Sequence, residues 1–271
     1  MSGDQRLRAD QLLVRLGLAT SREQAQALIR AGRVRVGHRS VERPSQRLPG
    51  DAPVEVVAPL HPYASRGGLK LERVLRSWPI PVQGAVAMDV GASTGGFTDC
   101  LLQHGARKVY AIDVGYGQLA WKLRTDPRVV VLERTNVRYL TPSRLDEPVD
   151  LIVVDVSFIS VTLFLERLVA FLRPAGWMVV LVKPQFEAGR DQVSRGGVVK
   201  DTDVHRQVLR KVAACGLAAG LGIETMMASP LLGPRGNAEF FIVFKRPGLA
   251  ADEARMESLV AEALRQVPHP G

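Results

Sequence analysis

The chain has 271 residues, 46% of them hydrophobic, with 36 Lys and Arg against 27 Asp and Glu and a formal net charge of +9. That length supports a substantial core and more than one domain, and the cationic surplus favours a polyanionic partner. Two distant cysteines, Cys100 and Cys215, and five scattered His argue against a disulfide framework or a zinc cluster, so no metal is expected.

The first residues, MSGDQRLRAD, are charged and hold no apolar stretch of signal-peptide type. No apolar run approaches the ~18–20 residues of a membrane helix. A cytoplasmic protein with no membrane partner is expected.

Residues 1–60 carry ten Arg, no Lys and six acids. Arg forks phosphate and stacks on bases in a way that Lys cannot, so this segment leans toward nucleic acid. A GC-rich genome that favours Arg codons is the plain alternative. Residues 6–18 place Leu12, Leu13, Leu16 and Leu18 at mixed helical spacings, punctuated by Gly17. Thr20 and Ser21 are suited to cap a second helix, with Glu23 and Gln24 as capping-box partners. Ala25, Leu28 and Ile29 form its apolar stripe and Gly32 ends it. RVRVGHRSV reads as two short strands around Gly37-His38, and VEVV as another strand.

These residues resemble the S4 RNA-binding domain. The likeness rests on Arg8 to Leu13, Gly17 to Arg22, Ala25, Leu28-Ile29, Gly32 and Val34-Arg35-Val36. The turn departs from the family, which usually has Asn-Gly where this chain has Gly37-His38. The resemblance implies docking on structured RNA, with Arg8, Arg22, Arg30, Arg33 and Arg35 as phosphate contacts. A solvated Arg face is the competing reading for any one of them.

APLHPYASRGG, residues 58–68, is turn-rich and marks a boundary. It divides an S4-like unit over 1–60 and a linker over 61–68 from a second domain over 69–271. Tyr63 either stacks on a base or packs against a domain.

The second domain alternates strands and helices. AVAMDV (85–90), KVYAIDV (108–114), 129–132, DLIVVDV (150–156) and WMVVLVK (177–183) are apolar strands. A helix opens at the Gly-rich turn GASTGGFTD (91–99), and further helices are expected over 161–172 and 202–216. Strands over 222–227 and 239–245 end the sheet, and 250–267 form an amphipathic helix packed on this domain. Near-continuous apolar strands between helices indicate an α/β fold with a parallel, Rossmann-like sheet covered on both faces.

The turn residues Gly91, Ser93, Thr94, Gly95 and Gly96 let backbone approach a ligand, and Asp113 follows the next strand at the separation of a ribose-binding acid. A Gly-rich turn and an acid alone do not separate a dinucleotide from S-adenosylmethionine. The spacing Gly91-x-x-x-Gly95-Gly96 departs from G-x-G-x-x-G, and a late antiparallel strand pair resembles Rossmann-like methyltransferases. S-adenosylmethionine is the expected cofactor, with Phe97 shaping its methionine end and Asn136 near its adenine. For these two the plain alternatives are a helix staple and a turn Asn.

Lys70, Asp155, Lys183 and Glu239 are read as standing at strand or loop ends beside the crevice. Their order, Lys-Asp-Lys-Glu, resembles the tetrad of FtsJ-type RNA 2′-O-methyltransferases. The contexts SRGGLKL, DVGASTGGFTD, VDVSFIS, KPQFE and GPRGNAEF match the TlyA family, and the likeness covers nearly the whole chain.

The resemblance implies 2′-O-methylation of a cytidine in ribosomal RNA (23S, with 16S as a further substrate). Lys183 is the expected base, and Lys70, Asp155 and Glu239 position it; Asp155 also belongs to the cofactor set. A Lys acts as base only if its pKa falls, which burial and a neighbouring ammonium favour; Lys70 is the expected neighbour. Arg66 and, in the long loop 187–201, Arg195 are further RNA contacts, or the loop is flexible padding. The chain is expected to act as a monomer on ribosomal RNA or ribosomal subunits. The competing readings are a non-catalytic RNA-binding or assembly factor and, disfavoured by composition, a membrane-active haemolysin.

Overall fold

The structure is a computed structural model that describes residues 6–19, 21–57, 61–248 and 251–268. Thr20, expected as a cap, lies outside the described residues.

The N-terminal unit runs β1 (Leu7–Arg8), α1 (Ala9–Arg15), α2 (Arg22–Arg30), β2 (Val34–Val36), β3 (Arg39–Ser40), β4 (Arg47–Leu48) and β5 (Val54–Val56). Ser21 caps α2, its hydroxyl accepting from Gln24 N. Strand β2 pairs antiparallel with β3 across the Gly37-His38 turn and with β5 on its other edge. The β1–β4 ladder was not expected, because two-residue strands leave no periodicity to read. Ala9, Leu12, Leu13, Ala25, Ile29 and Val34 are buried together in a core of this unit. Leu16 falls off that stripe and is 44% exposed.

The second unit begins with α3 (Gly67–Ser77), then β6 (Val86–Val90), α4 (Gly96–Gln103), β7 (Lys108–Ile112), α5 (Trp121–Arg124), β8 (Val129–Leu132) and β9 (Val149–Val154). There follow α6 (Leu165–Val169), β10 (Leu172–Val182), α7 (Pro184–Glu187), α8 (Thr202–Ala218), β11 (Gly222–Ala228), β12 (Phe240–Lys245) and α9 (Glu253–Arg265). Seven strands form one sheet in the order β11-β12-β10-β9-β6-β7-β8. Strands β8, β7, β6, β9 and β10 are parallel, and β12 runs antiparallel to both β10 and β11.

The period-2 alternation of each strand divides the core. Ala87, Leu151, Val153, Val179 and Phe241 pack toward α3 and α4 with Leu71, Val74 and Leu101. Val86, Met88, Ile152, Val180 and Ile242 pack toward α6, α8 and α9 with Leu165, Leu209 and Val260. Each buried Val, Leu, Ile, Met or Phe among them contributes about 1.5–3 kcal/mol of burial.

Two expectations need correction. The helix read over 161–172 is broken into a 3-10 turn at Val161–Leu163 and the short α6, because Phe164 (φ −145°) leaves helical geometry. That break lets both Phe164 and Leu165 reach the core, and Leu172 already belongs to β10. Lys70 stands on no strand or loop end: it lies in α3, which begins within the stretch read as linker. Two leading glycines hid that helix from its pattern. Tyr63 is buried in the second unit's core, and a Cβ on Gly68 would meet its ring carbons at 2.3–2.5 Å, so it packs against this domain.

Candidate active site

Where β6 ends, the chain turns at Gly91 (φ +89°). A Cβ there would lie 2.3 Å from the Asp155 carbonyl oxygen, so only glycine allows the turn to pass so near the end of β9. At Gly96, which opens α4, a Cβ would meet Ser65 Oγ at 2.3 Å and Gly68 N at 2.9 Å. The missing side chain brings α3 and its Lys70 against the turn.

Asp113, just after β7, holds the turn from the other side. One carboxylate oxygen accepts from Ser93 N at 2.8 Å and the other from Gly115 N at 2.7 Å. Behind the turn, Asp89 in β6 is fully buried and accepts from the Thr98 hydroxyl at 2.6 Å. Burial pushes its carboxyl up to about 7; the Thr98 hydrogen bond opposes this, and the Asp155 and Asp113 charges add to it.

Strands β9 and β10 lie side by side in parallel, so Asp155 and Lys183 emerge together at their C-terminal ends. Lys183 Nζ is 2.5 Å from Asp155 Oδ1 and donates to Ser157 Oγ at 2.9 Å. Glu239 enters β12 beside them, and its Oε2 accepts from Lys70 Nζ at 2.5 Å. Lys70 and Glu239 are both buried, as a charged pair requires if neither is to lose its partner. Each lysine is thus paired with a carboxylate, where the sequence suggested that the two ammonium groups act on one another.

All four residues line one cavity of about 610 Å³, in the size range of cofactor clefts. Gly91, Ser93, Gly96, Phe97 and Arg66 line it as well. Thr94, Gly95, Asp113 and Asn136 do not; Asp113 reaches it through Ser93, and the Asn136 side chain accepts from Arg138 N. Three buried acceptors on cavity residues, Asp155 Oδ1, Gln185 Oε1 and Glu239 Oε1, have no hydrogen-bond partner, although the first lies at ion-pair distance from Lys183. A ligand that brings N–H and O–H donors, as the amino group and ribose of S-adenosylmethionine do, suits them.

The cavity also holds residues that the sequence reading passed over. Phe158 is 90% exposed at φ +67°, a strained conformation for a bulky residue, and its ring lies 5.1 Å from that of Phe186. Arg235 lines the wall and donates to Gly196 O at 3.1 Å, joining the loop after α7 to the approach of β12. No spacing rule marks a loop Phe or Arg; the one signal was their place in motifs already quoted.

The expected RNA contacts lie apart from this cavity, Arg66 excepted. Arg8 and Arg22 converge on the buried Asp10, which also accepts from Gln26. Arg30 donates to Gln26 Oε1 and Arg33 to Val57 O. Arg195 is exposed.

A mainly parallel sheet ending in an antiparallel pair, with a glycine-rich turn after β6 and a cavity beside it that holds two lysine–carboxylate pairs, defines a Rossmann-like methyltransferase that takes its methyl group from S-adenosylmethionine. Residues 63–246 match the model of the FtsJ-like methyltransferases, and residues 7–54 that of the S4 domain. The chain belongs to the FtsJ-like methyltransferase family and carries an S4 domain ahead of it. It is 45% identical, over 97% of its length and 99% of the relative's, to the 16S/23S rRNA (cytidine-2′-O)-methyltransferase TlyA of Mycobacterium tuberculosis. It is 39% identical, over 88% of its length and 99% of the relative's, to Hemolysin A of Brachyspira hyodysenteriae. A solved Streptococcus thermophilus structure described as a haemolysin matches with a TM-score of 0.73 at 37% identity, covering 97% of this chain and 98% of that one. Among the described residues, no helix is long and apolar enough to cross a membrane.

Proposed function

We propose that this protein methylates the ribose 2′-hydroxyl of a cytidine in ribosomal RNA, in the large subunit and also in the small. The observation that carries the reading is the pair of lysine–carboxylate contacts, Lys183–Asp155 and Lys70–Glu239, on one cavity beside the glycine-rich turn. The relatives of comparable length named for rRNA cytidine-2′-O-methylation support the substrate.

Bound S-adenosylmethionine supplies an electrophilic methyl group. Gly91, Ser93, Gly96, Phe97 and Asp155 would hold it, with Thr94, Gly95 and Asp113 shaping the turn. A ribose hydroxyl is a weak nucleophile, so its proton must leave as it attacks. Lys183 in its neutral amine form takes that proton, and Asp155 pairs with the ammonium that results. Asp155 orients the Lys183 amino group, and Lys70 with Glu239 holds the hydroxyl in line, where alignment supplies much of the rate. The S4-like unit, 1–60, docks the RNA through Arg8, Arg22, Arg30, Arg33 and Arg35, with Arg66 and Arg195 nearer the second domain. The protein works as a monomer in the cytoplasm, where the ribosomal subunits are.

The test is methyl transfer from labelled S-adenosylmethionine to purified ribosomal subunits and to naked ribosomal RNA. Label mapped to a cytidine 2′-oxygen, and lost with Lys183→Ala at unchanged cofactor affinity, supports the reading. Tight RNA binding with no label in any substrate overturns it and leaves a non-catalytic RNA-binding factor.

A further inference from the structure

A second cleft, of about 290 Å³, lies between the two units. One wall is the end of α2 with Arg33 and Arg35 of the S4 unit; the other is Ala120, Trp121 and Lys122 at the start of α5. The connecting residues His61 to Ala64 complete it.

Three observations point to its ligand. The lining includes Arg33, Arg35 and Lys122 and no carboxylate. Arg33 and Lys122 are anchored, the first on Val57 O at 3.2 Å and the second on Asp99 at 2.5 Å. Arg35 Nε, by contrast, is buried and has no hydrogen-bond partner, a costly state that an anionic acceptor would relieve. On the opposite wall Trp121 is 54% exposed, which leaves its ring open for a base to stack on.

We infer that this cleft binds one nucleotide of an RNA strand, with its phosphate on Arg35 and its base on Trp121. A nucleotide joins an acceptor-only anion to a flat apolar ring, which is what the two walls ask for. The inference rests on the RNA-substrate reading; it gives the phosphate contact of Arg35 a definite cleft and adds to it a base contact on Trp121, in the second domain, that neither the S4 arginines nor the methyl-transfer cavity provides. The cleft sits between those two regions. Ala120 N donates to Thr94 O at 3.1 Å, and a Cβ on Gly95 would meet Leu123 Cδ1 at 2.2 Å and Leu119 Cδ1 at 2.8 Å. The wall that bears Trp121 is therefore joined directly to the glycine-rich turn.

The experiment uses the full chain with Trp121→Ala, Trp121→Phe and Arg35→Met, each also combined with Lys183→Ala so that binding is read without turnover. Affinity for ribosomal subunits and naked ribosomal RNA is measured, and ultraviolet cross-links are mapped to peptides. Trp121→Ala and Arg35→Met are expected to weaken RNA binding roughly tenfold, the scale of one stacked base or one phosphate contact. Trp121→Phe should restore most of it, cofactor affinity should stay unchanged, and a nucleotide should cross-link within 118–124. Wild-type RNA affinity in folded Trp121→Ala and Arg35→Met, with cross-links confined to other peptides, would overturn the inference. So would RNA affinity that is intact while binding to a ribosomal protein is lost, which would make the occupant a protein. Absence of methylation with these binding losses intact would instead defeat the reaction reading and leave the cleft assignment standing.

Discussion

Lys70 Nζ and Glu239 Oε2 meet at 2.5 Å although 169 positions separate them, and both side chains are buried. The contact joins α3, which follows the S4 unit directly, to the antiparallel strand that closes the sheet. It forms only when the whole second domain has folded. Glu239→Gln leaves the Lys70 ammonium buried without its counter-charge. The expected cost is about 3 kcal/mol, read as a lower urea midpoint at constant slope. The double variant Lys70→Met/Glu239→Gln should recover part of that loss while methyl transfer stays abolished. Additive losses in the double variant would mean that the pair is not coupled.

Phe158 presents a trade between stability and activity. Its φ of +67° and 90% exposure contribute strain and no burial. Phe158→Gly should raise stability by about 1 kcal/mol. The same change is expected to raise KM for RNA, because it removes an exposed ring on the rim of the cavity on which a base can stack. Thermal unfolding and steady-state kinetics on one preparation check both halves.

Asp89 predicts a pH dependence of definite sign. Its carboxyl titrates near 3.8 when unfolded and at about 7 in the folded chain, chiefly because it is buried. Between those values the folded state holds the extra proton, so this group's contribution to stability falls as pH rises from about 4 to 7. Asp89→Asn removes the ionisation. Its urea midpoint, relative to wild type, should improve between pH 5 and pH 8. A constant difference across that range would show that Asp89 does not titrate there.

Asp10 carries the opposite sign. Its hydrogen bond from Arg8, aided by Gln26 and Arg22, holds the carboxyl down at about 2 against the cost of its burial. The stabilisation is present above the unfolded value near 3.8 and is lost as pH falls through the folded one. At neutral pH, Asp10→Asn should destabilise the S4 unit on the order of 2 kcal/mol. It should also weaken RNA binding, since Arg8 and Arg22 lose the anchor that sets their positions. Circular dichroism melts and RNA affinity measured together test this.

Much of this protein was legible in the sequence because local chemistry determines it. Apolar strand runs in 85–90, 150–156 and 177–183 required a sheet covered on both faces, and Ser21 and Gly32 bracketed α2 by the ordinary chemistry of helix ends. Asp155 and Lys183 were readable as neighbours because parallel strands put their C-terminal ends on one edge. What only the tertiary structure decided depends on contacts distant in the chain. Lys70 rides a helix whose two leading glycines conceal it, and the partner that makes its burial tolerable comes from β12. Asn136 is bound to its own turn, and Arg8 and Arg22 are bound to Asp10, because nearby donors and acceptors compete for polar side chains. The sequence by itself determined the strands of the sheet, the helix after the glycine-rich turn and the chemistry they carry, while α3 and the break at Phe164 came only from the packing. Which lysine faces which carboxylate was decided by packing, since that depends on where the sheet and its helices bring the chain together.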